Sequence, residues 1–216
     1  MSRWGGEQAK TTRRVNFVSG GAGEESRYTL VMTLSEARAL MESWVASPAL
    51  RVHMECVSAC MGAYAKKLSP ADEERWRVAG LLHDFDYEKH PTAEEHPKVG
   101  VAHLKSIGVE EDVLQAILGH AAERTGVTRT TPMDKALFAV DELAGFIVAC
   151  CKVRPDGIAS LEPKSVKKKL KDKAFAAAVS REDIALGVSE IGPLAGVDET
   201  GHIQVCIDAI RGAGLA

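Results

Sequence analysis

The chain has no CxxC pair, no excess of either charge, few aromatic residues and no apolar run long enough for a bilayer. Each absence removes a class of protein. Its five cysteines, at 56, 60, 150, 151 and 206, form no regular framework, which suits reduced thiols filling a core in a cytosolic compartment. A net charge of −3 on 216 residues gives no global attraction for nucleic acid, so any charge argument must be local. Aromatics make up 5% of the residues and assemble no base-stacking platform. The longest apolar stretch, Ala136 to Cys151, is interrupted by Asp141 and Glu142 and falls short of the ~20 residues that span a membrane. A soluble protein without a nucleic-acid or membrane partner is expected.

Residues 1–32 also lack something, namely an apolar segment or a helical period; they are Gly-rich, and are expected to form a disordered extension. Two further readings stay open, a basic Ser/Thr-bearing targeting segment and a start at Met32. From residue 33 to 216 the patterns are helical almost throughout, in one domain of ordinary size. Thr33 stands three residues before Glu36, a capping-box spacing. Pro48 suits a first helical turn, and the steps from it place His53, Val57, Cys60, Met61 and Tyr64 on one face. A third helix begins at Pro70 and runs to His83. Gly108 and Gly126 mark the ends of helices over 96–108 and 110–126. The helix from Thr131 is the most apolar and belongs at the centre, and three further helical patterns, the first over 161–179, follow it. With no convincing β alternation, the fold class is all-α.

Asp141 poses the sharpest problem, because a carboxylate in the middle of the most apolar helix costs several kcal/mol (~3 or more) if it stays unpaired. An arginine or lysine such as Lys135, a helix N-terminus or a cation would compensate it. His53, His83 and His120 lie on inward faces or at an inward helix end, and neutral imidazoles cannot neutralise a carboxylate. A divalent metal shared by several histidines and two aspartates satisfies all of them, and mixed N and O ligation suits iron, manganese, cobalt, nickel or zinc, with magnesium also open. Taken singly, His53 or His120 reads more simply as a hydrogen-bonded core residue, His96 as a cap and Asp84 as a turn residue.

The ordered set His53, then His83-Asp84, then His96, His120 and Asp141 resembles the signature of the HD-domain metal-dependent phosphohydrolase superfamily. The stretches "GLLHDFDYEKHP", "HPKVGVAHLKSIG" and "AILGHAAERTGVTRTTPMDKALFAVDELAGFI" resemble a small, single-domain bacterial-type subgroup of it. The likeness spans about residues 35–154 and implies an HD-domain helical bundle with accessory helices after it. Carried over, it implies a first metal held by His53, His83, Asp84 and Asp141, and a second by His96 and His120 with Asp84 bridging. Adjacent residues diverge by about 100° within a helix, but at a helix end His83 and Asp84 can both reach one cation. One departure stands out. Members with an HDIGK run carry lysine three residues after the aspartate, whereas Asp84 is followed by Phe85, Asp86, Tyr87 and Glu88, with Lys89 five residues on. Asp86 is expected behind a ligand histidine, with Lys89 nearby.

The implied chemistry is hydrolysis of a phosphate ester of a small molecule or nucleotide by metal-activated water, with Asp84 as the catalytic ligand. Positive charge for the phosphate is sought at Arg124 and Arg129, which flank the loop after His120, and at Lys135. The six lysines from Lys164 to Lys173 read as a solvated face. Two other classes remain: a diiron oxygenase, which some HD proteins with two metals resemble, and a nonenzymatic metal-binding protein. The alanine-rich C-terminal helices offer a surface for a homo-oligomer.

Overall fold

The computed structural model describes residues 15–17 and 28–216. Within the N-terminal segment two short strands, β1 (Val15–Phe17) and β2 (Tyr28–Leu30), pair antiparallel with Val15 opposite Leu30. This is strand pairing that the sequence did not announce. The expectation of a disordered extension otherwise falls on residues 1–14 and 18–27, which lie outside the described residues.

Everything that follows is helical. Helix α1 (Leu34–Trp44) starts on the capping box read from the sequence: the Thr33 hydroxyl accepts the Glu36 backbone N–H, and the Glu36 carboxylate accepts that of Thr33. Helix α2 (Pro48–Leu68) has Pro48 in its first turn and the Ser47 hydroxyl on the Leu50 N–H. A single 3-10 turn (Pro70–Asp72) leads into α3 (Glu73–Leu82), and α4 (Lys98–Ser106) follows a run of turns. Then come α5 (Glu111–His120), α6 (Ala122–Thr125) and α7 (Pro132–Lys152). The chain closes with α8 (Pro163–Leu170), α9 (Arg181–Ala195) and α10 (Glu199–Gly212).

Helix α2 lies along α3 and α7, with α5, α9 and α10 packed around α7. Leu137, Val140, Ala144, Phe146 and Ile147 of α7 are all buried, and each large apolar side chain so placed contributes roughly 1.5–3 kcal/mol of transfer free energy. The core reaches from Met41 on α1 to Ile210 on α10. All five cysteines are free and buried within it. Gly80 lets α3 approach α2, since a Cβ there would meet the Ser58 backbone at 3.0 Å. No helix among the described residues is long and apolar enough to cross a membrane.

Two helices end well short of the sequence pattern, and both endings bear on the site. The helix expected over 110–126 breaks at Ala121 (φ −114°, ψ 51°). There the Ile117 carbonyl accepts the His120 ring N–H and the Gly119 carbonyl accepts the Arg129 guanidinium, so side-chain donors occupy acceptors of the last turn. The helix expected over 161–179 stops at Leu170. Beyond it the Arg181 guanidinium donates to the carbonyls of Asp172, Phe175, Ala176 and Val179 and stacks on Phe146. One side chain thereby satisfies what a helical ladder would have satisfied.

A candidate metal centre

Six side chains from five segments converge. His53 comes from the second turn of α2, His83 from the residue that caps α3, and Asp84 from the turn after it. His96 precedes α4, His120 is the last residue of α5, and Asp141 sits near the middle of α7. His83 keeps helical dihedrals (φ −59°, ψ −37°) while the chain turns immediately after it. Neighbours that would diverge inside a helix therefore face one point, with His83 Nε2 3.4 Å from Asp84 Oδ2.

The two oxygens of Asp84 are divided between two groups of imidazoles. Oδ2 faces His83 Nε2 and, at 3.8 Å, His53 Nε2. Oδ1 faces His96 Nε2 at 3.2 Å and His120 Nε2 at 3.6 Å. Asp141 Oδ1 completes the first group, 3.0 Å from His53 Nε2 and 3.3 Å from His83 Nε2, and the two Nε2 atoms are themselves 3.2 Å apart. His53, His83 and Asp84, and again Asp84, His96 and His120, offer ligand atoms within 4.8 Å of one another.

Three of the four imidazoles have their tautomer fixed from behind. The Nδ1–H of His83 donates to the Gly80 carbonyl at 2.8 Å, that of His120 to the Ile117 carbonyl at 2.5 Å, and that of His96 to Asp86 Oδ1 at 2.8 Å. Each Nε2 thus faces the carboxylates, where it carries a proton or, once deprotonated, offers its lone pair to a cation. Asp86 is itself buried and held by the Gly100 N–H at 2.7 Å. Gly100 has to be glycine for this contact, because a Cβ would fall 2.8 Å from both Asp86 Cγ and Phe85 Cε1.

A ring of acceptors requires positive charge at its centre, supplied either by protons or by a cation. Burial works against the charged form of His83, but Asp84 and Asp141 hold its pKa well above the usual imidazole range. Burial likewise works against ionised Asp84, yet His83, His120 and His96 hold its carboxyl well below the usual value. Asp141 is lowered in the same way, chiefly by His83 and His53 against the effect of burial. His96, despite burial, is pushed up to about 9 by Asp84 and Asp86. The donor set fits a divalent metal: with bonds of about 2.0–2.1 Å, neighbouring ligand atoms lie roughly 3.0–3.4 Å apart. From His53 and His83 to each other and to the two aspartates the spacings run from 3.0 to 3.4 Å with one of 3.8 Å. The compensation that Asp141 needs comes from this cluster; no lysine among the described residues pairs with it.

All of these residues except His83 line a cavity of about 410 Å³. Arg124 stands on its wall, 3.5 Å from Glu123. Arg129 and Lys135 do not line it. Arg129 makes two bonds to Glu190, at 2.7 and 2.8 Å, and lies 3.6 Å over the ring of Phe138, whose other surroundings include the cavity. It braces the wall from behind. Lys89 lies 4.5 Å over the Trp44 ring and does not line the cavity.

The sequence reading passed over Tyr87, Phe138, Glu142 and Asp183, all of which line the cavity. Glu142 was legible as the second charge in the apolar run; it accepts the Ser180 N–H at 3.2 Å, and burial together with Asp141 and Asp183 pushes its pKa up to about 7. Asp183 reaches the site only because α9 packs along α7, a contact between distant segments that carries no local signal.

Comparison with known families places a match to the HD domain over residues 51–145, a span that holds all six converging side chains. Neither curated proteins nor solved structures give a significant match.

Proposed function

We propose that this chain, whose residues 51–145 match the HD domain, is a metal-dependent phosphohydrolase that cleaves a phosphate ester of a small molecule or nucleotide. The observation that carries the reading is the division of Asp84, one oxygen toward His53 and His83, the other toward His96 and His120. His53, His83, Asp84 and Asp141 would hold one divalent cation, and Asp84, His96 and His120 a second. When bound, such ions polarise a phosphoryl oxygen and bring the pKa of water into the neutral range.

The chain's own residues supply the rest. Asp84 fixes both half-sites relative to each other through a single side chain. Asp86 and the carbonyls of Gly80 and Ile117 keep three imidazoles in the ligating tautomer. Arg124 presents a guanidinium, whose planar fork suits phosphoryl oxygens. The cavity of about 410 Å³ admits a small ester and not a folded polymer. A second reading, an iron-dependent oxygenase on the same scaffold, is favoured by the imidazole-rich donor set, which suits iron as well as manganese, cobalt, nickel or zinc.

Elemental mass spectrometry of protein purified without chelator, on wild type and Asp84→Ala, paired with phosphatase assays under air and under nitrogen, separates these. One or two metals per chain, lost in the variant, with phosphate release independent of oxygen, supports the phosphohydrolase. Two irons with oxygen-dependent turnover moves the assignment to the oxygenase. Failure to bind metal after reloading overturns both.

A further inference from the structure

The metal ligands lie inside the segment that matches the HD domain, but part of the cavity wall does not: Ala178 and Val179 line it from beyond residue 145. Both belong to residues 171–180, which join α8 to α9 through turns without a helix of their own. That course goes against the local sequence. Four of the ten residues are alanine, the strongest helix former, yet Ala176 sits in the left-handed region at φ 45°, where a side chain is strained. A stretch that defies its own propensity and carries backbone strain is held by its surroundings, and such places concentrate at functional sites.

What holds it is Arg181. The guanidinium donates to the carbonyls of Ala176 and Val179 at 2.6 Å each, to that of Asp172 at 3.3 Å and to that of Phe175, and it lies 4.8 Å over the Phe146 ring. Every side-chain hydrogen bond that Arg181 makes among the described residues goes to this stretch, and its Nε is buried without a partner. Charge-assisted bonds to four carbonyls stand where a helical ladder would have formed. Two further ties fasten the stretch to α7, the helix of Asp141: the Phe175 ring meets Phe146 edge-on at 5.5 Å, and the Ser180 N–H donates to Glu142 Oε2 at 3.2 Å. Phe138, also of α7, lines the same cavity as Val179.

Resting on the phosphohydrolase reading, we infer that Arg181 is a positioning residue for the substrate: it keeps residues 171–180 out of a helix so that Ala178 and Val179 form wall against which the organic part of the ester lies. The metals would take the phosphoryl group of any ester alike. Discrimination falls to the rest of the cavity, and this part of it exists only while the guanidinium holds its four carbonyls. Without Arg181 the stretch is free to follow its alanines, and the two side chains leave the cavity.

The test uses the metal-loaded full chain and two ligands that cannot be hydrolysed, phenylphosphonate and inorganic phosphate, compared by isothermal titration calorimetry. Both offer oxygens to the metals, and only the first has an organic part. Phenylphosphonate is expected to bind at least about tenfold more tightly, the ratio that ~1.4 kcal/mol produces. In Arg181→Ala and Arg181→Lys that ratio should fall toward one while phosphate affinity and metal content hold, because a single ammonium does not reproduce the planar fork. Ala178→Trp alters an exposed side chain on the same wall and serves if circular dichroism shows the Arg181 variants unfolded; it should weaken phenylphosphonate by about tenfold or more and leave phosphate as in wild type. Equal binding of the two ligands by wild type, binding of neither, a ratio that survives in the folded variants, or equal weakening of both ligands overturns the inference. Hydrolysis of phenyl phosphate is measured in parallel, where Arg181→Ala should raise KM with kcat little changed. The expected binding pattern without phosphate release would sink the phosphohydrolase and keep the role of Arg181, whereas release with an unaltered KM in Arg181→Ala would keep the phosphohydrolase and sink that role.

Discussion

Replacing Asp86 with asparagine changes a side chain that touches no metal position and should nonetheless weaken metal binding. The carboxylate has two oxygens and two donors, His96 Nδ1–H at 2.8 Å and Gly100 N–H at 2.7 Å, and only about 1% of it is exposed. Asparagine keeps one oxygen and sets an NH2 group against the other donor. If the NH2 faces Gly100, a buried donor goes unmet at a cost of about 1–3 kcal/mol. If it faces His96, the ring must accept at Nδ1, and its proton moves to Nε2, the atom 3.2 Å from Asp84 Oδ1. Either outcome weakens the half-site of His96 and His120, by the roughly 10–100-fold typical when a partner behind a ligand histidine is lost. The half-site of His53, His83 and Asp141 makes no contact with Asp86 and should hold its metal. Equilibrium dialysis across a series of free metal concentrations, read by elemental mass spectrometry, should show one binding phase displaced and one retained, against loss of both in Asp84→Ala. A binding curve for Asp86→Asn that superimposes on wild type would refute the reasoning.

Gly100→Ala places a methyl 2.8 Å from Asp86 Cγ and Phe85 Cε1, so it should lower stability by about 1–3 kcal/mol and weaken the same half-site; thermal melting together with metal stoichiometry checks both, and an unchanged Tm contradicts it. Arg129→Ala strands Glu190 and removes the support behind Phe138; a loss of about 1–3 kcal/mol is expected in urea unfolding, and an unaltered midpoint would mean that the bidentate pair contributes nothing. The chelated protein should lose stability as pH rises from 6.5 to about 9, because folded His96 holds its proton up to about 9 against 6.5 unfolded, and folded His83 is raised as well. Stability from these groups is complete below the unfolded value and gone above the folded one. Metal-saturated protein should lack this decline, since ligand protons are displaced on binding, and a flat or rising Tm in chelator over that window counts against the proton-filled cluster.

The helices and the six converging side chains were legible because their signals are local. A capping box at Thr33, a proline at position 48 and an aspartate inside an apolar helix each fix a physical requirement within a few residues. What the sequence did not reveal depends on contacts between distant segments. Nothing near Arg129 says that Glu190, sixty-one residues later, will hold it, so a guanidinium expected at the phosphate became a brace behind the wall. The break at Ala121 and the early end of α8 have the same origin, side chains taking carbonyls that helical periodicity alone assigns to the next turn. Asp86 lies between the two cases: its position two residues after Asp84 suggested support for a ligand histidine, and only the fold identifies that histidine as His96.

His53 differs from the other three imidazoles in one respect. Its Nδ1 has no hydrogen-bond partner among the described residues, and Gly145 lies beside it, where an added Cβ would stay 3.7 Å away. His83, His96 and His120 are each held from behind at Nδ1, whereas His53 is held only from the front, by Asp141 and His83. An ion entering or leaving does not have to prise apart a packed shell. A cation bound here would have one ligand without a partner behind it, His53, at the end of the site where Asp141 meets it, and metal exchange is expected to begin there.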